Sequence, residues 1–379
     1  MPPVYLDNNA TTPLDPEVKA VLFRAFEEEF GNAGSRTHEF GSRAKQAVQR
    51  ARLEVAEVVG AEPSEVIFTS GATEANNLAI LGLAASAPAM TRRHIITTAI
   101  EHKAVLEPVE ALKAQGFEVT ILPATEIGQV ALETVQAALR PDTLLVSVMQ
   151  ANNETGVLQP VAGIADQLVG HPVYFHVDAA QGFAKSVDDL RHPRIDLIST
   201  SAHKLYGPKG VGALIARRRG YDRPPLTPLG FGGGQERGLR AGTLPVPLIV
   251  AFGAAARLAM ADRQDRRDRC LGIREKALAA FARLDARVLG EGAPVLPHVL
   301  NIAFEGVDSE ALMLSLKDLV AVSNGSACTS SSYEPSHVLA AMGLPDSVIA
   351  SAVRLSWSHA TPDVPWDEIA DRICALQAS

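Results

Sequence analysis

Three cysteines in 379 residues, Cys270, Cys328 and Cys374, are too few and too scattered for a disulfide framework, and none belongs to a C-x-x-C pair of the kind that holds zinc. Any cysteine that matters here works as a thiol. Positive charge is not in excess: 35 Lys plus Arg stand against 43 Asp plus Glu, a net charge of -8, which argues against direct nucleic-acid binding by the chain as a whole. No apolar stretch is long enough to span a bilayer before Arg, Lys, Asp or Glu interrupts it, and Met1 to Thr12 lacks a basic segment followed by an apolar one. The expectation is a cytoplasmic protein with no membrane partner. Internal repeats are missing as well.

What is present is ordinary for a folded chain: 47% hydrophobic and 21% charged residues, over a length that accommodates two or three domains. Asp15-Pro16-Glu17 opens a first helix, with Asp as N-cap and Pro at the first position, and Gly31 is the expected stop. Short β-rich runs then alternate with helical stretches to about residue 217: Val66 to Thr69, His94 to Thr98, Glu118 to Leu122, Thr143 to Met149, Val173 to Val177 and Asp196 to Ser199. Such alternation predicts an α/β fold, a mostly parallel central sheet flanked by helices, with ligands bound beyond the carboxyl ends of the strands. Pro224 to Gly242 reads as an extended loop, and one long helical stretch from about Pro247 to Arg283 bridges to a small α+β domain. That domain has strands near Val299 to Phe304 and Ala352 to Ser356, and helices near Ser309 to Leu316 and Trp366 to Leu376. The expected division is 16–261 for the large domain, with 1–15 and 262–379 forming the small one.

Polar motifs fall at the predicted strand ends. Ser201-Ala202-His203-Lys204-Leu205-Tyr206-Gly207-Pro208 places Lys204 after a strand, where a lysine can form a Schiff base with an aldehyde cofactor while its Ser and His neighbours hold a phosphate. His176-Val177-Asp178-Ala179-Ala180-Gln181 ends another strand in a carboxylate able to face a protonated pyridine nitrogen. At ~3 Å and an effective dielectric of ~20 the gross Coulomb attraction is ~5 kcal/mol before desolvation is subtracted. A metal pair, His176-x-Asp178, is the competing reading, although no other ligand cluster has supporting spacing. Thr69-Ser70-Gly71-Ala72-Thr73-Glu74-Ala75-Asn76 runs from strand to helix, so its free backbone N–H groups and the Thr73 hydroxyl make a phosphate site, or simply a capped turn. Glu101-His102 and Asn152-Asn153-Glu154 end further strands. Asn324-Gly325-Ser326-Ala327-Cys328-Thr329 sets a thiol among small polar residues, the setting of a nucleophile; Cys270 and Cys374 lie on helical stretches and lack it.

Together these segments, starting at Tyr5-Leu6-Asp7-Asn8-Asn9-Ala10-Thr11-Thr12-Pro13, resemble the cysteine desulfurases of the NifS/IscS type, the branch serving DNA phosphorothioation included. The resemblance covers nearly the whole chain in order. It implies the type I fold of pyridoxal-phosphate-dependent transferases and pyridoxal 5'-phosphate bound by Lys204, with Asp178 facing the pyridine nitrogen, Gln181 the phenolic oxygen and His102 lying over the ring. Ala72, Thr73, Ser201 and His203 would hold the phosphate, and Thr243 would reach the phosphate of a neighbouring subunit, which implies a homodimer. Arg354, helped by Asn153, would bind the carboxylate of L-cysteine; Asn153 would also lie against the cofactor. Lys204 would remove the α-proton and the Cys328 thiolate would attack the substrate sulfur, giving a Cys328 persulfide and L-alanine. The persulfide would serve a sulfur-acceptor protein, for iron-sulfur assembly, tRNA thiolation or DNA phosphorothioation.

The chain departs from the resemblance at Ser358-His359-Ala360-Thr361, where many relatives carry Gly-Arg-Phe-Thr, and it stops at Ser379, before the C-terminal extension with which some relatives bind an iron-sulfur scaffold. A selenocysteine lyase or an aminotransferase of the same fold would use the same Lys, Asp and His.

Overall fold

The strand-helix alternation of the sequence is realised in the computed structural model, which describes residues 2–86, 90–324 and 335–378. After β1 (Val4–Tyr5) come α1 (Pro16–Glu28) and α2 (Glu39–Val59). The alternating series is β2 (Val66–Thr69), α3 (Ala72–Ala84), β3 (His94–Thr98), α4 (Lys103–Ala114), β4 (Glu118–Leu122), α5 (Leu132–Ala138), β5 (Thr143–Met149), α6 (Val161–Gln167), β6 (Tyr174–Asp178), β7 (Leu197–Ser201) and β8 (Gly212–Ala216). Asp15 caps α1 as expected, its Oδ1 accepting from the Glu17 N–H at 2.9 Å. The helix ends at Glu28 rather than at Gly31, because the Glu29 N–H already closes the last turn on the Ala25 carbonyl.

Seven of these strands form one sheet in the order β2-β8-β7-β6-β5-β3-β4. All pairings are parallel except those of β8, which runs antiparallel to both β7 and β2. Every residue of β5 and β7 is buried, as expected of parallel strands covered on both faces. One face packs on α1, α2 and α7 (Val246–Ala261) through a core that includes Val55, Phe68, Phe175, Phe183 and Phe252. The other packs on α3 and α4 through Ile80, Leu83, Ile95, Val105 and Leu112.

The single helix expected over 247–283 is two, α7 and α8 (Arg263–Phe281), broken at Asp262. The break lies where the chain passes between cores: α7 is buried against the large sheet, whereas α8 contributes Cys270, Ala277 and Phe281 to a second core with Leu6, Phe304, Trp357 and Trp366. That second region contains β9 (Ala286–Val288), β10 (Val299–Phe304), α9 (Ser309–Leu316), β11 (Val320–Ala321), α10 (His337–Ala341), α11 (Asp346–Ala350), β12 (Ala352–Ser356) and α12 (Trp366–Gln377). Its antiparallel sheet has the order β12-β10-β9, and β1 pairs with β11 in a separate two-stranded sheet. The Asn8 N–H reaches the Ser356 carbonyl at 3.0 Å, bringing the start of the chain beside β12. No helix among the described residues is long and apolar enough to cross a membrane.

Candidate active site

Lys204 closes a short 3-10 turn, Ala202–Lys204, directly after β7. Its Nζ donates to the main-chain carbonyls of Asn9 (2.6 Å) and Ala10 (2.8 Å). Asp178, the last residue of β6, is buried; Oδ2 accepts from Asn76 Nδ2 at 2.7 Å and Oδ1 from the Ala180 N–H at 2.9 Å, so the carboxylate is held from both sides. Gln181 Nε2 donates to the Asn9 carbonyl at 3.0 Å, the oxygen that also receives Lys204.

The same N-terminal segment reaches the far side of the site. Asn9 Nδ2 donates to the Asn153 carbonyl at 2.8 Å, and Arg354 Nη1 donates to that carbonyl at 2.9 Å. Arg354 Nη2 pairs with Asp7 Oδ1 at 2.7 Å, with the guanidinium 3% exposed. Asp7 to Ala10 therefore ties together Lys204, Gln181, Asn153 and Arg354, residues separated by up to 201 positions along the chain. In the sequence this segment stands out only as the start of a motif: the Asn9 and Ala10 carbonyls that receive Lys204 and Gln181 carry no side-chain signature, and nothing local marks Asn76 as the partner of Asp178.

Ser201 is buried beside the turn before α3: a Cβ placed on Gly71 would lie 3.5 Å from its Oγ. Gly212, opposite Ser201 in the β7–β8 register, permits this approach, since a Cβ there would stand 2.7 Å from the Gly71 Cα. The turn residues Ala72 and Thr73 are thus brought to the end of β7. His203 Nδ1 lies 3.2 Å from Thr11 Oγ1. Thr243 stands apart from this cluster, exposed in the loop before α7. Cys328 lies outside the described residues.

Burial shapes the proton chemistry. His102 caps α4, its Nδ1 accepting from the Ala104 N–H at 3.1 Å; burial, reinforced by Lys204 and His337 and opposed by Asp178, holds the imidazole below its ordinary pKa. His203 is pushed down to about 4 by burial and the nearby Lys204 charge. Both rings are therefore neutral near pH 7 and can accept a proton or hydrogen bond. His176 falls to about 4 through burial, and its two nitrogens are taken by Ser147 Oγ (2.8 Å) and Ser199 Oγ (2.9 Å). It is a satisfied interior histidine, and among the described residues no group of three His, Cys, Asp or Glu could hold a metal ion.

The polar inventory fits pyridoxal 5'-phosphate. A primary amine, a doubly hydrogen-bonded carboxylate and a neutral imidazole converge at the strand ends, beside a helix-opening turn with a buried Ser hydroxyl for a phosphate. Gln181 Oε1, Asn153 Oδ1 and Arg354 Nε are buried without a partner among the described residues. Unpaired interior groups of this kind cost about 1–3 kcal/mol each, and a polar ligand relieves that cost.

Residues 4–363 match the family model for class-V aminotransferases. The chain is 47% identical over 374 residues to the cysteine desulfurase IscS of Vibrio campbellii, a match covering 98% of this chain and 92% of the relative. Among solved structures, DndA from Streptomyces lividans is 52% identical with a TM-score of 0.82, over 93% of this chain and 99% of that one. SspA, solved in complex with cysteine, is 35% identical with a TM-score of 0.83, over 95% of this chain and 100% of that one. The chain therefore belongs to the class-V aminotransferase family, in its cysteine desulfurase branch, whose members are pyridoxal 5'-phosphate enzymes.

Proposed function

We propose that Lys204 carries the cofactor, that Arg354 binds the carboxylate of L-cysteine, and that Cys328 takes the substrate sulfur as a persulfide, releasing L-alanine and passing the sulfur to an acceptor protein. The observation that carries this reading is the convergence of Lys204, Gln181, Asn153 and Arg354 on Asp7 to Ala10, which gathers an amine and a guanidinium about one segment. The chain on both sides of Cys328 is also fastened there. The Arg354 N–H donates to the Ser323 carbonyl at 2.7 Å, and Ser336 Oγ donates to Glu154, next to Asn153.

Bound pyridoxal 5'-phosphate supplies an electron sink for bonds broken at the substrate α-carbon. Asp178 would provide the fixed negative charge that partners its ring nitrogen. Ala72, Thr73, Ser201 and His203 would hold its phosphate, with Thr243 contributed by the neighbouring subunit of a homodimer. Lys204 would take the α-proton, and His102 and Asn153 would contact the cofactor. Arg354 would hold the carboxylate of the substrate. The Cys328 thiolate then forms an S–S bond with the substrate sulfur as the C–S bond breaks. The electron pair leaves with carbon, which is protonated on the way to alanine.

Exposed aromatic side chains support the homodimer: Phe23, Phe26, Phe30 and Phe40 are each more than half exposed, and Phe231, in the Thr243 loop, is 88% exposed. The same reading divides the chain into 16–261 around the large sheet and 1–15 with 262–379 around the second core. A cytoplasmic location suits it, because a reducing compartment keeps Cys328 available as a thiol.

A thiol at pKa ~8.5 is only ~10% thiolate near pH 7.5, so the site must activate Cys328, with neutral His102 as the proton acceptor on hand. Cys328→Ser should keep the yellow cofactor band and still bind cysteine, yet form no persulfide and release little alanine. Cys270→Ser and Cys374→Ser should keep the wild-type yield: Cys270 is buried with its thiol pushed up to about 11, and Cys374 sits on the surface of α12. A full single-turnover yield of alanine from Cys328→Ser, without added reductant, would overturn the assignment.

A further inference from the structure

The loop from 224 to 242 contains only one 3-10 turn, Glu236–Gly238, yet its C-terminal half is fastened at three points. Glu236 is buried and bidentate on Arg52, Nη1 to Oε2 at 2.8 Å and Nη2 to Oε1 at 2.6 Å, and its Oε2 also accepts from the Phe68 N–H at 2.7 Å. Arg237 Nη1 donates to the Val66 carbonyl at 2.9 Å. Arg240 Nε donates to Glu74 Oε1 at 3.1 Å. Glu236 and Arg237 have φ of 46° and 60°, left-handed backbone that costs a non-glycine residue about 1–2 kcal/mol, so these anchors hold the loop in a shape it would not take alone.

Glu74 faces two ways. While Oε1 receives Arg240, Oε2 accepts from the Ser70 N–H at 2.6 Å, in the turn that opens α3. Burial works against its charged form, but the Ser70 and Arg240 donors outweigh burial and keep the carboxyl below its usual range. One carboxylate thus joins the Ser70 to Thr73 turn to the segment that carries Thr243, three residues beyond Arg240. Glu74 and Arg240 are 27% and 26% exposed, and an ion pair so placed contributes little to global stability. Its consequence is geometric.

We propose that Glu74 is a positioning residue that clamps the Ser70 to Thr73 turn to the Arg240 to Thr243 segment, holding in one register the phosphate contacts a subunit makes for its own cofactor and the contact it extends to its neighbour's. The proposal rests on the phosphate assignments above and adds to them the part that aligns them.

The test is the dissociation constant of pyridoxal 5'-phosphate, read by titrating the apo dimer and following cofactor absorbance. Arg240→Ala leaves the Ser70–Glu74 bond intact and isolates the clamp. It should raise the dissociation constant about threefold to tenfold, with Arg240→Lys partly restoring affinity, while the apo melting temperature stays within about 2 °C of wild type. Glu74→Ala should have an effect of similar size, and the double variant should be no weaker than the weaker single, because both remove one link. Unchanged affinity in Arg240→Ala, or fully additive losses in the double variant, would overturn the clamp. Ser201→Ala and Thr243→Ala separate the two levels. If both bind cofactor like wild type, the phosphate assignment is wrong and the clamp falls with it. If both weaken binding while Arg240→Ala does not, the phosphate assignment stands and the clamp alone is rejected.

Discussion

The lysine end and the arginine end of the site are built on different principles. Lys204, Asp178, Gln181, Ser201 and His203 lie at or just beyond the carboxyl ends of β6 and β7, where parallel strands release the chain into loops. Arg354 sits mid-strand in antiparallel β12, opposite Asn301, and is buried. A loop can change its side chains without disturbing its neighbours, whereas a one-residue slip of β12 would turn Arg354 to the other face of its sheet. The lysine end is therefore set by side-chain chemistry and the arginine end by strand register. Asp7 to Ala10 is shared by both, hydrogen-bonded to Lys204 on one side and paired with Arg354 on the other.

The comparison breaks most visibly at Lys204. Lys204→Ala should lose the yellow absorption and at least ~10³-fold in turnover, because the proposed roles make one amine both the bond to the cofactor and the base for the α-proton. Borohydride reduction of the wild-type protein and peptide mapping should find the pyridoxyl group on Lys204. A group on Lys185, or on any other lysine, would move the cofactor end elsewhere.

Arg354→Ala should act on the other end alone. It removes a charge-assisted hydrogen-bond fork worth about 1.5–3 kcal/mol, so KM for cysteine should rise about 10- to 100-fold while the bound cofactor keeps its colour. Arg354 also holds Asp7, so Asp7→Asn is the control: it leaves the guanidinium in place and should raise KM far less. Equal losses in the two variants would mean that Arg354 serves the hub rather than the substrate.

Much of this was legible in the sequence, for reasons that differ by element. Strands such as β3, β5 and β10 are apolar β-branched runs whose boundaries match the reading, because full burial leaves a local signal. Asp15 announced α1 through cap chemistry. β8 escaped notice: Gly212 to Ala216 is small and apolar, and only its pairing with β7 and β2 makes it a strand. The break at Asp262 is hidden because neither Gly nor Pro marks it, and its cause is a change of core. Lys204, Asp178 and Arg354 could be named from motif and resemblance, but Asn9 acts largely through its carbonyl and could not. Glu101, adjacent in sequence to His102, owes its unusual state to distant burial.

Glu101 gives the finest test of the lysine end. It is fully buried; Oε1 accepts from Thr98 Oγ1 at 2.8 Å and the Met149 N–H at 2.7 Å, while Oε2 has no partner among the described residues. Burial, together with the Asp178 charge and against the Met149 and Thr98 donors, pushes its pKa up to about 8. The unfolded chain ionises it near 4.3. Between these values the folded state holds a proton that the unfolded state has lost, so stability is full below about pH 4 and falls as pH rises toward 8. Glu101→Gln keeps the acceptor for Thr98 and Met149 and copies the neutral acid, so it should retain most turnover. Its advantage over wild type in unfolding free energy should grow from near zero at pH 4.5 to the order of 5 kcal/mol at pH 8, read by denaturant titration at each pH. A constant difference across that range would mean that Glu101 is charged in the folded protein, leaving the lysine end with a second buried carboxylate charge beside Asp178.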